Sequence, residues 1–280
     1  MARDASEHLR LRAAFAVALL STGCLAPTLA PIHPMTAEAA AMSGDRELSG
    51  TIGYAAAPGA GLGDSSIPGT PYAEGELRFA LTTRVQLQVG LGFAFQHYFL
   101  PWLNDVSLGT KLTVLDDPGL ALALAPRIVG ASAFNLLGTS PGDSSASRSV
   151  FGTRSLGFEL PLLATHTFEN GWALTLQVWA RYHLLRQEDA TDEQPTGAAG
   201  DAETPEPLVS TGHVWGAGGA LMFSFPKSRG SLTRYHLFLG IEHLWLAQTS
   251  VSGGPAGQVN PLVSLGRYSV AGGVGVTTPW

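Results

Sequence analysis

The chain has 280 residues, a formal net charge of −6, and 14% charged against 45% hydrophobic side chains. That charged fraction is far below the roughly 25% of ordinary soluble domains, and mean hydropathy is positive at +0.16, yet no apolar run reaches the ~20 residues of a spanning helix. The acidic balance, without a basic stripe, excludes nucleic acid as a partner, and the single cysteine excludes a disulfide framework or a multi-cysteine metal site.

At the N-terminus, Arg3, Arg10 and Arg12 precede the apolar run Ala13 to Leu20, which reads as a signal peptide over residues 1–23. Its end, Leu20-Ser21-Thr22-Gly23-Cys24, resembles a bacterial lipobox, in which small residues precede a cysteine that becomes the lipidated N-terminus. Cys24 is therefore the candidate lipid attachment site. Ser21 stands where that motif prefers leucine, and ordinary cleavage near Ala37 to Ala41 is the alternative. Residues 24–46, with Pro27, Pro31, Pro34 and a run of alanines, carry no sheet pattern and read as a flexible tether.

From residue 47 onward the dominant signal is a two-residue alternation. Leu77, Phe79, Leu81, Val85, Leu87, Val89, Leu91, Phe93 and Phe95 alternate with Arg78, Ala80, Thr82, Arg84, Gln86, Gln88, Gly90, Gly92 and Ala94. Strand side chains point alternately to opposite faces, so one face is apolar and the other polar or small. About ten such segments are predicted, near 47–57, 74–82, 84–97, 104–115, 119–131, 149–168, 171–185, 208–226, 231–248 and 260–279. The breaks at 82–83, 116–119, 169–171 and 226–230 are short and rich in turn residues. Those at 58–73, 98–103, 132–148, 186–207 and 250–259 are longer. This strict short–long alternation predicts an all-β fold: an antiparallel up-and-down transmembrane β-barrel over residues 47–280, with short periplasmic turns, longer extracellular loops and both termini in the periplasm.

The aromatics sort by strand end. Phe168, Trp172, Phe225 and Trp280 fall at the predicted periplasmic rim, and Tyr98, Trp102, Tyr182 and Trp245 towards the other, as interfacial girdles require. The last strand, Tyr268 to Trp280, closes on an aromatic residue, which resembles the signal read by the outer-membrane assembly machinery. With LTTRVQLQVGLG (81–92) and VSLGTKLTVLDDPGLALALAPRIVG (106–130), the chain resembles the uncharacterised exported outer-membrane barrels of Gram-negative bacteria. The resemblance implies contact with outer-membrane lipid and carries no catalytic residue across.

On the same parity the inward, lumen-lining polar residues near mid-height are Lys111, Arg127, Glu159, Gln177, Arg181, Glu242 and Arg267. A charge facing lipid costs about 2–4 kcal/mol at the midplane, which is why inward placement is expected. Two readings follow. The charges brace a narrow lumen, or their excess of bases selects anionic solutes. Small lumen positions (Ala121, Ala123, Ala125; Gly216, Gly218, Ala220; Ala271, Gly273, Gly275) face large ones (Trp179, Met222, Phe238), which predicts either interdigitation or a narrow cavity.

Catalytic signals are weak. Gly138 to Gly142 matches G-x-S-x-G but lies in a loop with no following helix. Gly59 to Gly63 likewise precedes no helix that could hold a phosphate. The histidines lack metal-ligand spacing. His97, Asp105, His183 and His213 fall near the outer rim, His213 towards lipid, with no tight acid–histidine pair expected. The acidic stretch Gln187 to Glu206 reads as a solvated loop or a weak divalent-cation site. No cofactor is implied. The expected function is a non-enzymatic outer-membrane barrel, structural or a narrow passage for small solutes. The alternatives are an outer-membrane enzyme with a site on the extracellular rim, and a soluble lipid-anchored barrel that binds an apolar ligand.

Overall fold

The computed structural model describes residues 38–42, 44–56, 70–96, 100–117, 119–137, 149–191, 208–228, 230–252 and 268–280. Eleven β-segments follow in order: β1 (Arg46–Ala56), β2 (Thr70–Ala80), β3 (Val85–Gln96), β4 (Leu100–Asp117), β5 (Leu120–Leu124), β6 (Arg127–Leu137), β7 (Ser149–Thr167), β8 (Ala173–Thr191), β9 (Leu208–Pro226), β10 (Arg234–Ser252) and β11 (Tyr268–Pro279). Neighbours along the chain pair antiparallel, and β1 pairs with both β2 and β11, so the sheet closes on itself. Because β5 and β6 both lie between β4 and β7, they are two halves of one strand, and the wall is a ten-stranded barrel. The break falls at Ala125-Pro126, where proline has no N–H to donate. The ladder bridges it: Thr110 N–H donates to the Pro126 carbonyl at 3.0 Å and Ala125 N–H to that of Pro161 at 2.9 Å.

The tight turns gather at the periplasmic end with both strand termini, where Trp280 N–H donates to the Arg46 carbonyl at 3.2 Å. Local chemistry closes these turns. Thr82 Oγ1 accepts from Val85 N–H at 3.0 Å, and Asn170 Oδ1 accepts from Trp172 N–H at 3.0 Å. Gly119 and Gly171 take φ of 91° and 83°, a left-handed conformation that favours glycine.

Alternation puts Ile52, Leu108, Val114, Ile128, Leu156, Leu239 and Ile241 on the outside, each more than half exposed. Two aromatic girdles flank this apolar band. Trp172 meets Phe223, and Phe225 meets Tyr235, at the periplasmic end. At the other end Tyr182 packs on Trp215, and His243 lies between Trp245 and Tyr268. An apolar exterior between two girdles is the surface a bilayer demands. The protein is a barrel of the Gram-negative outer membrane.

The strand boundaries differ from expectation at the extracellular end. β4 begins at Leu100, so only residues 97–99 separate it from β3, where a longer loop over 98–103 was expected. β8 runs to Thr191, taking in the first part of the acidic stretch. Register jumps from Gly92↔Asp105 to Phe93↔Leu103, leaving Asn104 as an extra residue. This bulge turns both Asn104 and Asp105 inward, which a strict two-residue period cannot do.

Candidate functional site

The lumen is the candidate site, and its polar wall is built from the inward parity of the strands. Starting at β1, the ladder aligns Glu47 with Arg78, Arg78 with Gln88, and Gln88 with Gly109. It continues through Arg127, Glu159, Arg181 and Gly216. One hydrogen-bonded row therefore places acids and bases side by side around most of the wall.

Two clusters result. At mid-height Glu159 on β7 is the hub: Arg127 Nε lies 2.9 Å from its Oε2, and Arg181 Nη1 lies 3.1 Å from its Oε1. Arg181 Nε reaches Glu242 on β10 at 2.7 Å, passing over β9. That passage requires the small β9 positions, because a Cβ at Gly216 would collide with Arg181 and Glu242, and one at Gly218 with the Trp179 ring. Trp179 Nε1–H donates to Glu242 Oε1 at 3.0 Å, and the Arg181 guanidinium stands 5.8 Å from the Trp179 ring. His183, fully buried, sets Nε2 at 3.3 Å from Glu159 and Nδ1 at 3.3 Å from Ser155 Oγ.

Nearer the periplasm Arg78 Nε pairs with Glu76 at 2.6 Å and Arg78 Nη1 with Glu47 at 3.6 Å. Lys111 Nζ stands 3.9 Å from Glu38 Oε1. Lower still, hydroxyls and one histidine join the strands: Ser224 Oγ to His236 Nδ1 at 2.8 Å, and His236 Nε2 to Thr277 Oγ1 at 2.9 Å. Thr277 Oγ1 in turn donates to Ser49 Oγ at 3.3 Å.

Of the expected lumen residues, Lys111, Arg127, Glu159, Gln177, Arg181 and Glu242 are all buried inside the wall. Arg127, Glu159, Arg181 and Glu242 form one continuous chain, whereas Lys111 belongs to the lower cluster. Arg267 lies outside the described residues, as do Cys24, the signal peptide, His97, the stretches 59–63 and 138–142, and residues 192–206 of the acidic stretch.

Sequence reasoning passed over Glu47, Glu76, Arg78, Glu74 and Asp105, all buried. Glu74, Glu76 and Arg78 sit on the even parity already assigned to Gln86 and Gln88, so for them the signal was present; Glu47 opens the first strand, and Asp105 was placed on the rim instead. It also missed the His183–Glu159 contact, because it set His183 on the rim and expected no acid–histidine pair. His213, on the outer face, approaches the Tyr182 hydroxyl through Nδ1.

The small lumen positions are filled. Trp179, Met222 and Phe238 pack with Tyr72, Ala55, Ala94, Ala220 and Ala271 in one cluster, with Ala39 against it. A second cluster joins Ala121, Ala123, Ala125 and Leu163 to Ala40. The end of the segment expected as a tether thus lies inside the barrel.

The chain is similar to several solved structures of outer-membrane proteins. The outer-membrane protease OmpT of Escherichia coli matches at 9% identity over 84% of this chain and 96% of its own, with a TM-score of 0.45. The translocator domain of the autotransporter NalP from Neisseria meningitidis matches at 13% identity over 99% and 98%, with a TM-score of 0.44. The β domain of the Bordetella autotransporter BrkA matches at 10% identity over 84% and 98%, with a TM-score of 0.36. No family model matches the sequence, and no curated protein is similar to it.

Proposed function

We propose that this is a non-enzymatic outer-membrane barrel whose lumen is closed at rest by its own filling. It serves either as a structural element of the membrane or as a narrow passage for small polar solutes that opens when the filling is displaced. The observation that carries this reading is the chain Arg127–Glu159–Arg181–Glu242, which ties β6, β7, β8 and β10 together across the lumen. Ten strands fall near the size at which side chains alone fill a barrel.

The mid-height set suggests a preference for anions; the fuller charge count supports the opposite preference. Among the described residues the buried acids are Glu38, Glu47, Glu74, Glu76, Asp105, Glu159 and Glu242, against the bases Arg78, Lys111, Arg127 and Arg181. An opened lumen with that balance favours cations.

The test is single-channel recording of the refolded full chain in a planar bilayer. Silence, or rare small openings with cation preference, supports the reading. Steady wide-pore steps overturn it. The enzyme alternative has one specific observation in its favour, the Ser155–His183–Glu159 row. A fluorophosphonate probe tests it: an adduct on Ser155 would show an activated serine and overturn the non-enzymatic reading. The C-terminal strand ending in Trp280 is further proposed to be the element that the outer-membrane assembly machinery engages. Its ring already sits 6.2 Å from that of Phe79 and 5.4 Å from the Arg46 guanidinium at the periplasmic rim.

A further inference from the structure

Residues 38–42 read Glu-Ala-Ala-Ala-Met. Glu38 and Ala40, each 0% exposed, are as buried as any strand residue. We propose that the periplasmic half of the lumen is a binding site for a short peptide with an acidic residue followed by small ones. The chain's own residues 38–42 occupy that site in cis as a displaceable plug. This rests on the reading of the lumen as closed by its filling and names what is bound there.

Three sets of contacts define the site. The first takes the carboxylate. Gln88 on β3 donates its side-chain N–H to Glu38 Oε1, and Lys111 on β4 sets its ammonium beside the same oxygen. Lys111 is fully buried, and among the described residues Glu38 is the carboxylate within 4 Å of it; Glu47 and Glu76 lie nearby but are held by Arg78. A buried ammonium without an anion is strongly unfavourable, so withdrawal of Glu38 leaves a demand for another carboxylate.

The second contact reads the peptide backbone. Lys111 Nζ donates to the Ala39 carbonyl at 3.2 Å. Ala40 N–H donates to Thr165 Oγ1 on β7 at 2.9 Å, and Thr165 is itself held by Thr175 at 2.8 Å. Backbone groups of consecutive residues are thus bonded from β4 and β7, on either side of the strand formed by β5 and β6.

The third contact measures size. Ala40 lies against Ala121, Ala123, Ala125 and Leu163, a wall in which alanine recurs at every inward position of β5 and its junction with β6. A side chain much larger than a methyl group does not fit there. A lumen filled only for stability would place large side chains on the wall itself. Here the wall is cut back to alanine and the missing volume comes from a segment that precedes the first strand and is not part of the wall.

The experiment measures binding of a fluorescent Glu-Ala-Ala-Ala-Met peptide by anisotropy to the refolded full chain in detergent. A cis segment competes at an effective concentration on the order of millimolar, so the wild type is expected to bind the peptide weakly. Glu38→Lys sets a cation against Lys111 and evicts the plug, and at least tenfold tighter binding is expected. Ala40→Trp evicts it by size alone and should give the same gain with Glu38 and Lys111 both present. Adding Lys111→Glu to Glu38→Lys restores the pair with its charges exchanged, so the cis segment re-enters and peptide binding falls back to the wild-type level. Heat-modifiable gel mobility confirms that each variant is folded.

If folded Glu38→Lys and Ala40→Trp bind no better than wild type, or binding ignores Lys111→Glu, the proposal is overturned. It is equally overturned if the mass of the mature protein shows that Glu38 is removed during export. Because binding is read without conductance, this result is separate from the bilayer recording. A conducting wild type whose Glu38→Lys variant binds peptide would refute the closed-lumen reading and leave the site standing.

Discussion

Replacing Glu159 by glutamine removes one charge and keeps nearly the same volume, so it isolates the electrostatic hub of the lumen. Glu159 is 1% exposed and holds Arg127 at 2.9 Å and Arg181 at 3.1 Å. Two charge pairs at about 4 Å in an effective dielectric near 20 are worth about 4 kcal/mol each. Burying the carboxylate returns several kcal/mol of that as desolvation, and measured losses on breaking a buried pair run at about 3–5 kcal/mol. The expected loss of stability is therefore about 4 kcal/mol. With a urea slope of about 2 kcal/mol per molar, the unfolding midpoint in lipid vesicles falls by roughly 2 M. Tryptophan fluorescence and heat-modifiable gel mobility follow the same transition. Glu159→Gln combined with Arg127→Gln should lose less than the sum of the two, with coupling above about 1 kcal/mol. A midpoint shift below about 0.3 M, or strict additivity, would refute the claim that this chain of ion pairs holds the lumen together.

Other outcomes test other parts of the barrel. Leu239→Arg puts a charge at an exterior position that is 64% exposed. It should cost about 2–4 kcal/mol in vesicles if that face meets lipid, whereas a soluble barrel would tolerate it within about 0.5 kcal/mol. Gly218→Leu drives a side chain into the Trp179 ring and should destabilise by about 1–3 kcal/mol through overpacking, read as a lower urea midpoint and an altered Trp emission maximum. Deleting Asn104 removes the β4 bulge. It should restore strict alternation with Leu103 still facing out opposite Phe93, and cost only about 1 kcal/mol for the lost Asn104–Asp105 hydrogen bond; a loss of the heat-modifiable fold would mean the bulge itself is needed to shape the rim. Removing Trp280 should lower the folded, heat-modifiable fraction in cells while leaving refolding of the purified chain nearly unchanged. An equal loss in both would make Trp280 a stability residue and not an assembly signal.

The barrel was legible in the chain because its determinants are local. Alternation at Leu77 to Phe95 sets which face is apolar, and Asp116 to Gly119 and Asn170-Gly171 fix where strands reverse. The aromatic residues mark both ends. The inward parity of Lys111, Arg127, Glu159, Gln177, Arg181 and Glu242 follows from the same period. Parity says nothing of which charge meets which. That Arg181 skips a strand to reach Glu242 depends on the register of β8, β9 and β10 and on the room left by Gly216. The inward pair Asn104–Asp105 depends on a bulge, and the His183–Glu159 contact on residues separated by 24 positions. Nor could the alanine-rich stretch at 38–42 be read as lumen filling. Its composition is that of a linker, and only closure of ten strands builds the alanine-lined wall and the buried lysine that hold it.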